Sequence, residues 1–87
     1  MPASQTQIQK TAAKLIACDK HFAAEDETES WDAKFVMSMM DWVFVTQNPM
    51  TVKQLNKVEE VYSRHDEDML KDFSEFLDDP RIQYVKS

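Results

Sequence analysis

The chain contains no glycine. That absence excludes the glycine-rich loops that cradle phosphates, the dinucleotide-binding fingerprint, and the calcium loop with its turn glycine. Proline is nearly as scarce: Pro2, Pro49 and Pro80 alone punctuate 87 residues, which favours helices joined by short connections. A single cysteine, Cys18, rules out an internal disulfide framework and suits a reducing cytosol. No apolar run approaches the ~18–20 residues that span a bilayer. The segment Met1-Pro2-Ala3-Ser4-Gln5 lacks the basic and apolar regions of a signal peptide. The expectation is therefore a cytoplasmic protein with no membrane contact.

Residues that are 43% hydrophobic and 30% charged are too apolar for a disordered tail and too polar for a membrane protein. At this length residues 1–87 form one domain with one core. The periodicity predicts an all-α fold, a compact bundle of about four short helices with the second central. Helix one is expected over about 4–23, with Ile8, Ala12, Leu15, Ile16 and Phe22 as its stripe. An acidic loop follows at 24–30, and Ser30 or Thr28 caps helix two, over about 31–47. That helix should end at Asn48-Pro49, with Asn48 as the left-handed cap, because proline disfavours helix in the residue before it. Thr51-Val52-Lys53-Gln54 is a capping box, flanked by Met50 and Leu55 as a hydrophobic staple, and opens helix three at about 52–64. Helix four is expected over about 66–77, carrying Met69, Leu70, Phe73, Phe76 and Leu77 on one arc. Asp79-Pro80 ends it or caps a last short turn, and the tail 81–87 docks through Ile82, Tyr84 and Val85.

The net charge of −6 is unevenly placed. Residues 66–79 carry −6, the stretch from Glu25 through Asp32 carries −5, and the remainder sums to +5. Two readings of the acids compete. Acids opposite an apolar stripe keep a helix soluble, and those at its start complement the helix dipole. Alternatively, Glu25, Asp26, Glu27, Glu29, Asp68, Asp72, Glu75, Asp78 and Asp79 imitate nucleic-acid phosphates and occupy a basic groove on a protein partner.

Helix two is unusually apolar. On a helical wheel Lys34, Ser38 and Asp41 form one narrow polar stripe, and apolar residues from Trp31 to Phe44 fill roughly 240°. Either three neighbours wrap it completely, or part of the face stays open for a second copy of the chain or another protein. Trp31, Met37, Met40 and Phe44 are the candidate apolar contacts, with methionine suited to an adaptable surface and tryptophan to an anchor.

No catalytic, metal or cofactor set emerges. Consecutive positions in His65-Asp66-Glu67-Asp68 point in different directions around a helix and read as a solvated helix start. His21 and Cys18 supply two ligands where zinc requires more. Cys18 reads as a small semi-buried residue. The expectation is a non-enzymatic binding protein without cofactors. The alternative is a nucleic-acid accessory protein meeting phosphates through Lys53, Lys57 and Arg64, against which a pI near 4.7 argues.

The pattern Trp31-x3-Phe35-Val36-x-Ser38-Met39, followed by Met50-Thr51-x-Lys53-Gln54-Leu55-x2-Val58-x3-Tyr62-x-Arg64, resembles a small helical module of phage and prophage proteins. There an aromatic-rich helix precedes a Leu-Thr-x-Lys-Gln helix, and Met50 stands here where that pattern has Leu. The resemblance implies a phage-type accessory protein in the host cytoplasm, working near nucleic-acid enzymes. By the same likeness it implies an inhibitor of a host defence complex, as anti-CRISPR proteins are.

Overall fold

Helix α1, Gln5–Ala24, carries the core. Ile8, Thr11, Ala12, Ala13, Leu15, Ile16, Ala17, Cys18 and Phe22 are all buried, so three of its sides are covered. Small residues explain how. Ala12, Ala13, Ala17 and Cys18 let neighbouring backbones come close, while Leu15 and Ile16 each supply about 1.5–3 kcal/mol of apolar burial. The computed structural model describes residues 5–65 and 73–85, an all-α arrangement with no strand among them.

Around α1 lie α2, Trp31–Met40, and α3, Val52–His65, together with two 3-10 turns at Phe73–Asp78 and Pro80–Tyr84. Each of these four segments packs on α1. The central element is thus α1, not the second helix as its hydrophobicity suggested. Apolar richness measured how much α2 can bury, whereas the size and placement of side chains decided which helix the others can reach on several sides. The radius of gyration is 11.9 Å, matching the roughly 12 Å of a folded chain of this length.

The helix ends are built without glycine. At the C-terminus of α1, Asp26 adopts φ 54. Its N–H donates to the Ala23 carbonyl at 3.2 Å, and the Glu27 N–H to that of Phe22 at 2.9 Å, a Schellman closure. Ser30 caps α2, its hydroxyl accepting from the Ala33 N–H at 3.1 Å. The capping box at α3 is reciprocal: Gln54 N–H donates to Thr51 Oγ1 at 3.1 Å, and Thr51 N–H to Gln54 Oε1 at 2.8 Å. Met50 and Leu55 are both buried beside it.

Past Met40 the second helix widens into a π-helical turn, Asp41–Val45, where an uninterrupted helix to 47 was expected. The wider turn advances fewer degrees per residue, so Phe44 rotates toward the core and is half-buried. Gln47, not Asn48, takes the left-handed conformation, with φ 55. Asn48 precedes Pro49, whose ring crowds a helical predecessor. Its side-chain amide instead donates to Thr46 Oγ1 at 2.9 Å.

Of the expected fourth helix, Met69 and Leu70 lie outside the described residues, and 73–78 is a 3-10 turn. Residues three apart eclipse one another in that geometry. Phe73 and Phe76 therefore share one edge, and both pack against the core with Leu77. Asp79 caps the final turn, accepting from the Arg81 N–H at 2.9 Å with Pro80 at the first helical position. In the tail Ile82 and Val85 are buried, but Tyr84 is 64% exposed and does not dock.

Candidate functional site: the outer face of the second helix

The core covers only the middle of the apolar arc of α2. Ala33, Val36, Met39 and Val43 are buried. Both margins of the arc stay open: Trp31 is 59% exposed and Met37 54%, and Val45 is 72% exposed at the helix end. Met40 and Phe44 are half-buried and pack against the core, which leaves them minor parts of any outward surface. Phe35 and Trp42, absent from the candidate set, belong beside Trp31. Their spacing of four and eleven residues from it, one helical face, was the signal available for finding them.

This margin is ordered by its own contacts. The Trp31 and Phe35 rings stack with centroids 5.2 Å apart and planes 5° from parallel. The Lys57 ammonium lies 5.6 Å from the Trp31 ring, within cation–π range. At the other end the Trp42 indole N–H donates to the Pro49 carbonyl at 3.0 Å. The aromatic surfaces are exposed while their orientations are fixed, which lowers the ordering cost of binding.

The basic row on α3 is largely neutralised within the fold. Lys57 pairs with Glu60 at 3.0 Å. Arg64 pairs with Asp32 at 2.6 Å and with Glu60 at 2.7 Å. Lys53 alone of the three lacks a carboxylate partner among the described residues. Lys14 and the Thr11 hydroxyl both hold Glu59, the hydroxyl donating at 2.9 Å, which ties α1 to α3.

The acids do not form one surface. Glu25 and Glu27 line a cleft of about 500 Å³ at the C-terminal end of α1, together with His21, Phe22, Ser30, Asp32 and His65. Glu27 is engaged, accepting from the N–H groups of Glu29 and Ser30, each at 3.1 Å. Glu25, Asp26 and Glu29 are exposed. Asp78 and Asp79 line a second cleft against Thr6, Gln9 and Lys10, about 16 Å back along α1 from His21 at 1.5 Å per residue. Asp79 is tied to Arg81 at 2.9 Å, and that guanidinium holds its carboxyl below the usual range. Glu75 is exposed; Asp68 and Asp72 lie outside the described residues.

His65 is the last described residue of α3 and is half-buried, while Asp66, Glu67 and Asp68 lie outside the described residues. Its ring is edge-on to Phe22 at 5.0 Å and 5.7 Å from His21. Its Nε2 lies 2.9 Å from Asp32 Oδ2; a carboxylate only accepts, so Nε2 donates. Among the described residues no group of three or more His, Cys, Asp or Glu side chains is arranged to hold a metal. No helix of the described residues is long and apolar enough to cross a membrane. Cys18 is fully buried, and burial, followed by the charges of Asp32, Asp19 and Glu59, pushes its thiol pKa up to about 12.

No known protein family, curated protein or solved structure matches the chain.

Proposed function

We propose that this chain is a non-enzymatic protein-binding module that anchors through the outer face of α2 and steers association with its acids. The observation that carries the reading is Trp31, exposed over 59% of its surface yet locked against Phe35 and Lys57. Exposed, pre-oriented aromatic groups are the usual anchors of protein interfaces, and a rigid indole loses little entropy on docking. The exposed carboxylates Glu25, Asp26, Glu29 and Asp78 add a negative field that accelerates encounter with a basic partner. The phage-module resemblance extends the proposal to a basic nucleic-acid-binding or defence complex of a host, which the module inhibits by occupying its groove. Direct contact with nucleic-acid phosphates is the weaker reading, because Lys57 and Arg64 are already paired with Glu60 and Asp32.

The test is affinity capture from the producing cell with mass spectrometry, followed by titration of the captured protein in purified form. The expected result is one dominant partner whose binding weakens at least tenfold with Trp31→Ala and falls with added salt. Equal binding by wild type and Trp31→Ala at all salt concentrations would remove the proposal.

A further inference from the structure

The exposed stripe of the second helix carries opposite charges on the two sides of a small residue, Ser38. Trp31, Lys34, Ser38 and Asp41 are all exposed and are spaced three, four and three residues apart, the interval that keeps side chains on one face of an α-helix. Ser38 stands at the centre. Lys34 lies four residues before it and Asp41 three after, about 6 and 4.5 Å along the axis; Trp31 lies about 10 Å out.

We infer that this stripe is the interface of an antiparallel homodimer, with a two-fold axis passing near Ser38. Rotating a second copy about that axis places its Asp41 opposite Lys34, and the contact occurs twice, as a two-fold interface requires. Every charge on the stripe then meets its opposite. The residue at the crossing is small, which permits the ~8–10 Å axial separation of packed helices. Both charges are available. Asp41 has no cationic partner among the described residues, and Lys34 makes only a 3.9 Å contact with Glu29 in which both side chains are well exposed. A parallel pairing would set Lys34 against Lys34 and Asp41 against Asp41, so the charges specify orientation as well as partner.

The inference rests on the reading of this face as an association surface and names its occupant. A single helix pair of this length buries less than the ~800 Å² per partner of a standard stable complex, which places the dimer among weak, concentration-dependent associations.

Sedimentation velocity over about 10–500 µM tests this, on wild type, Lys34→Asp, Asp41→Lys and the double exchange, with circular dichroism to confirm helical content. The wild type should move from 10.2 kDa toward twice that mass. Each single reversal should weaken association at least tenfold by setting like charges face to face. The double exchange should restore it to within threefold. A wild type that stays monomeric at 500 µM, or single reversals that associate as tightly as wild type, would overturn the inference. The broader reading survives that failure if Trp31→Ala still abolishes capture of a different protein, and falls with it if capture is unaffected.

Discussion

Asp32 grips Arg64 with both carboxylate oxygens: Oδ1 accepts from Nη2 at 2.6 Å and Oδ2 from Nε at 3.2 Å. The two residues are 32 positions apart, so this fork fastens the first turn of α2 to the last turn of α3. Asp32 also sits where a carboxylate complements the positive end of the α2 dipole, and Arg64 where a cation complements the negative end of α3.

Hydrogen bonds from Arg64, with a further one from His65, hold the Asp32 carboxyl below its ordinary value of 3.8 against the opposing effect of burial. The unfolded chain therefore binds this proton more readily than the folded one. The contribution of Asp32 is fully present above the unfolded pKa and drains away as pH falls through the lower, folded one. Glu60 and Asp79 are shifted the same way, so wild-type acid sensitivity alone does not isolate Asp32. The expected outcome is a stability gap between wild type and Asp32→Asn, measured by urea titration, that narrows as pH falls from 5 through 3.8. At pH 7 the gap should be about 1 kcal/mol, below the range of a buried charged hydrogen bond and at the upper end for an exposed ion pair, because Arg64 is solvated. A gap independent of pH from 5 down to 2 would deny the fork its role.

Cys18 gives a probe of opening. A thiol with pKa near 12 in a fully buried site offers almost no thiolate at pH 8 and no path for a reagent. Alkylation of the folded protein by iodoacetamide should be slow and should accelerate in urea in step with loss of helical signal. Rapid labelling without denaturant would mean that α1 is not enclosed as described.

What the sequence revealed and what it hid follow from the range of each interaction. The Thr51–Gln54 box, the Ser30 cap and the Met50–Leu55 staple were all legible because their partners lie within five residues. The centrality of α1 was not. Ala12, Ala13, Ala17 and Cys18 contribute little to a hydrophobic count, and their value lies in the close approach they allow to segments far along the chain. The π turn at Asp41–Val45 escaped for a related reason, since periodicity alone does not distinguish it from an α-helix over five residues. On the candidate face, the excess of apolar circumference pointed to Trp31 and Met37, which are exposed. It did not separate them from Met40 and Phe44, which pack partly against the core; Arg81 of the final turn lies 5.0 Å from the Phe44 ring.

A direct comparison of core positions tests which helix is the axis. Leu15→Ala on α1 should cost about 2–5 kcal/mol, since the side chain is fully enclosed and the cavity cannot collapse from several packed sides at once. Met37→Ala, at an exposed margin of α2, should change stability by no more than about 0.5 kcal/mol. Thermal melts of both variants decide it: comparable losses would return α2 to the centre of the bundle.

Gln47 and Asp26 pose the same backbone problem with different side chains. Both hold positive φ, a region where a Cβ crowds the following carbonyl and costs roughly 1–2 kcal/mol. Aspartate tolerates it better because its short side chain bonds locally, whereas glutamine has no such compensation. Replacement by glycine removes the crowding but gives the unfolded chain more freedom, which offsets part of the gain. Gln47→Gly should therefore raise stability by up to about 1 kcal/mol, or roughly 4–8 °C in Tm for a domain of this size, while Asp26→Gly should be near neutral. Should Gln47→Gly melt below wild type, the left-handed turn joining the π segment to Pro49 is not how the chain leaves α2.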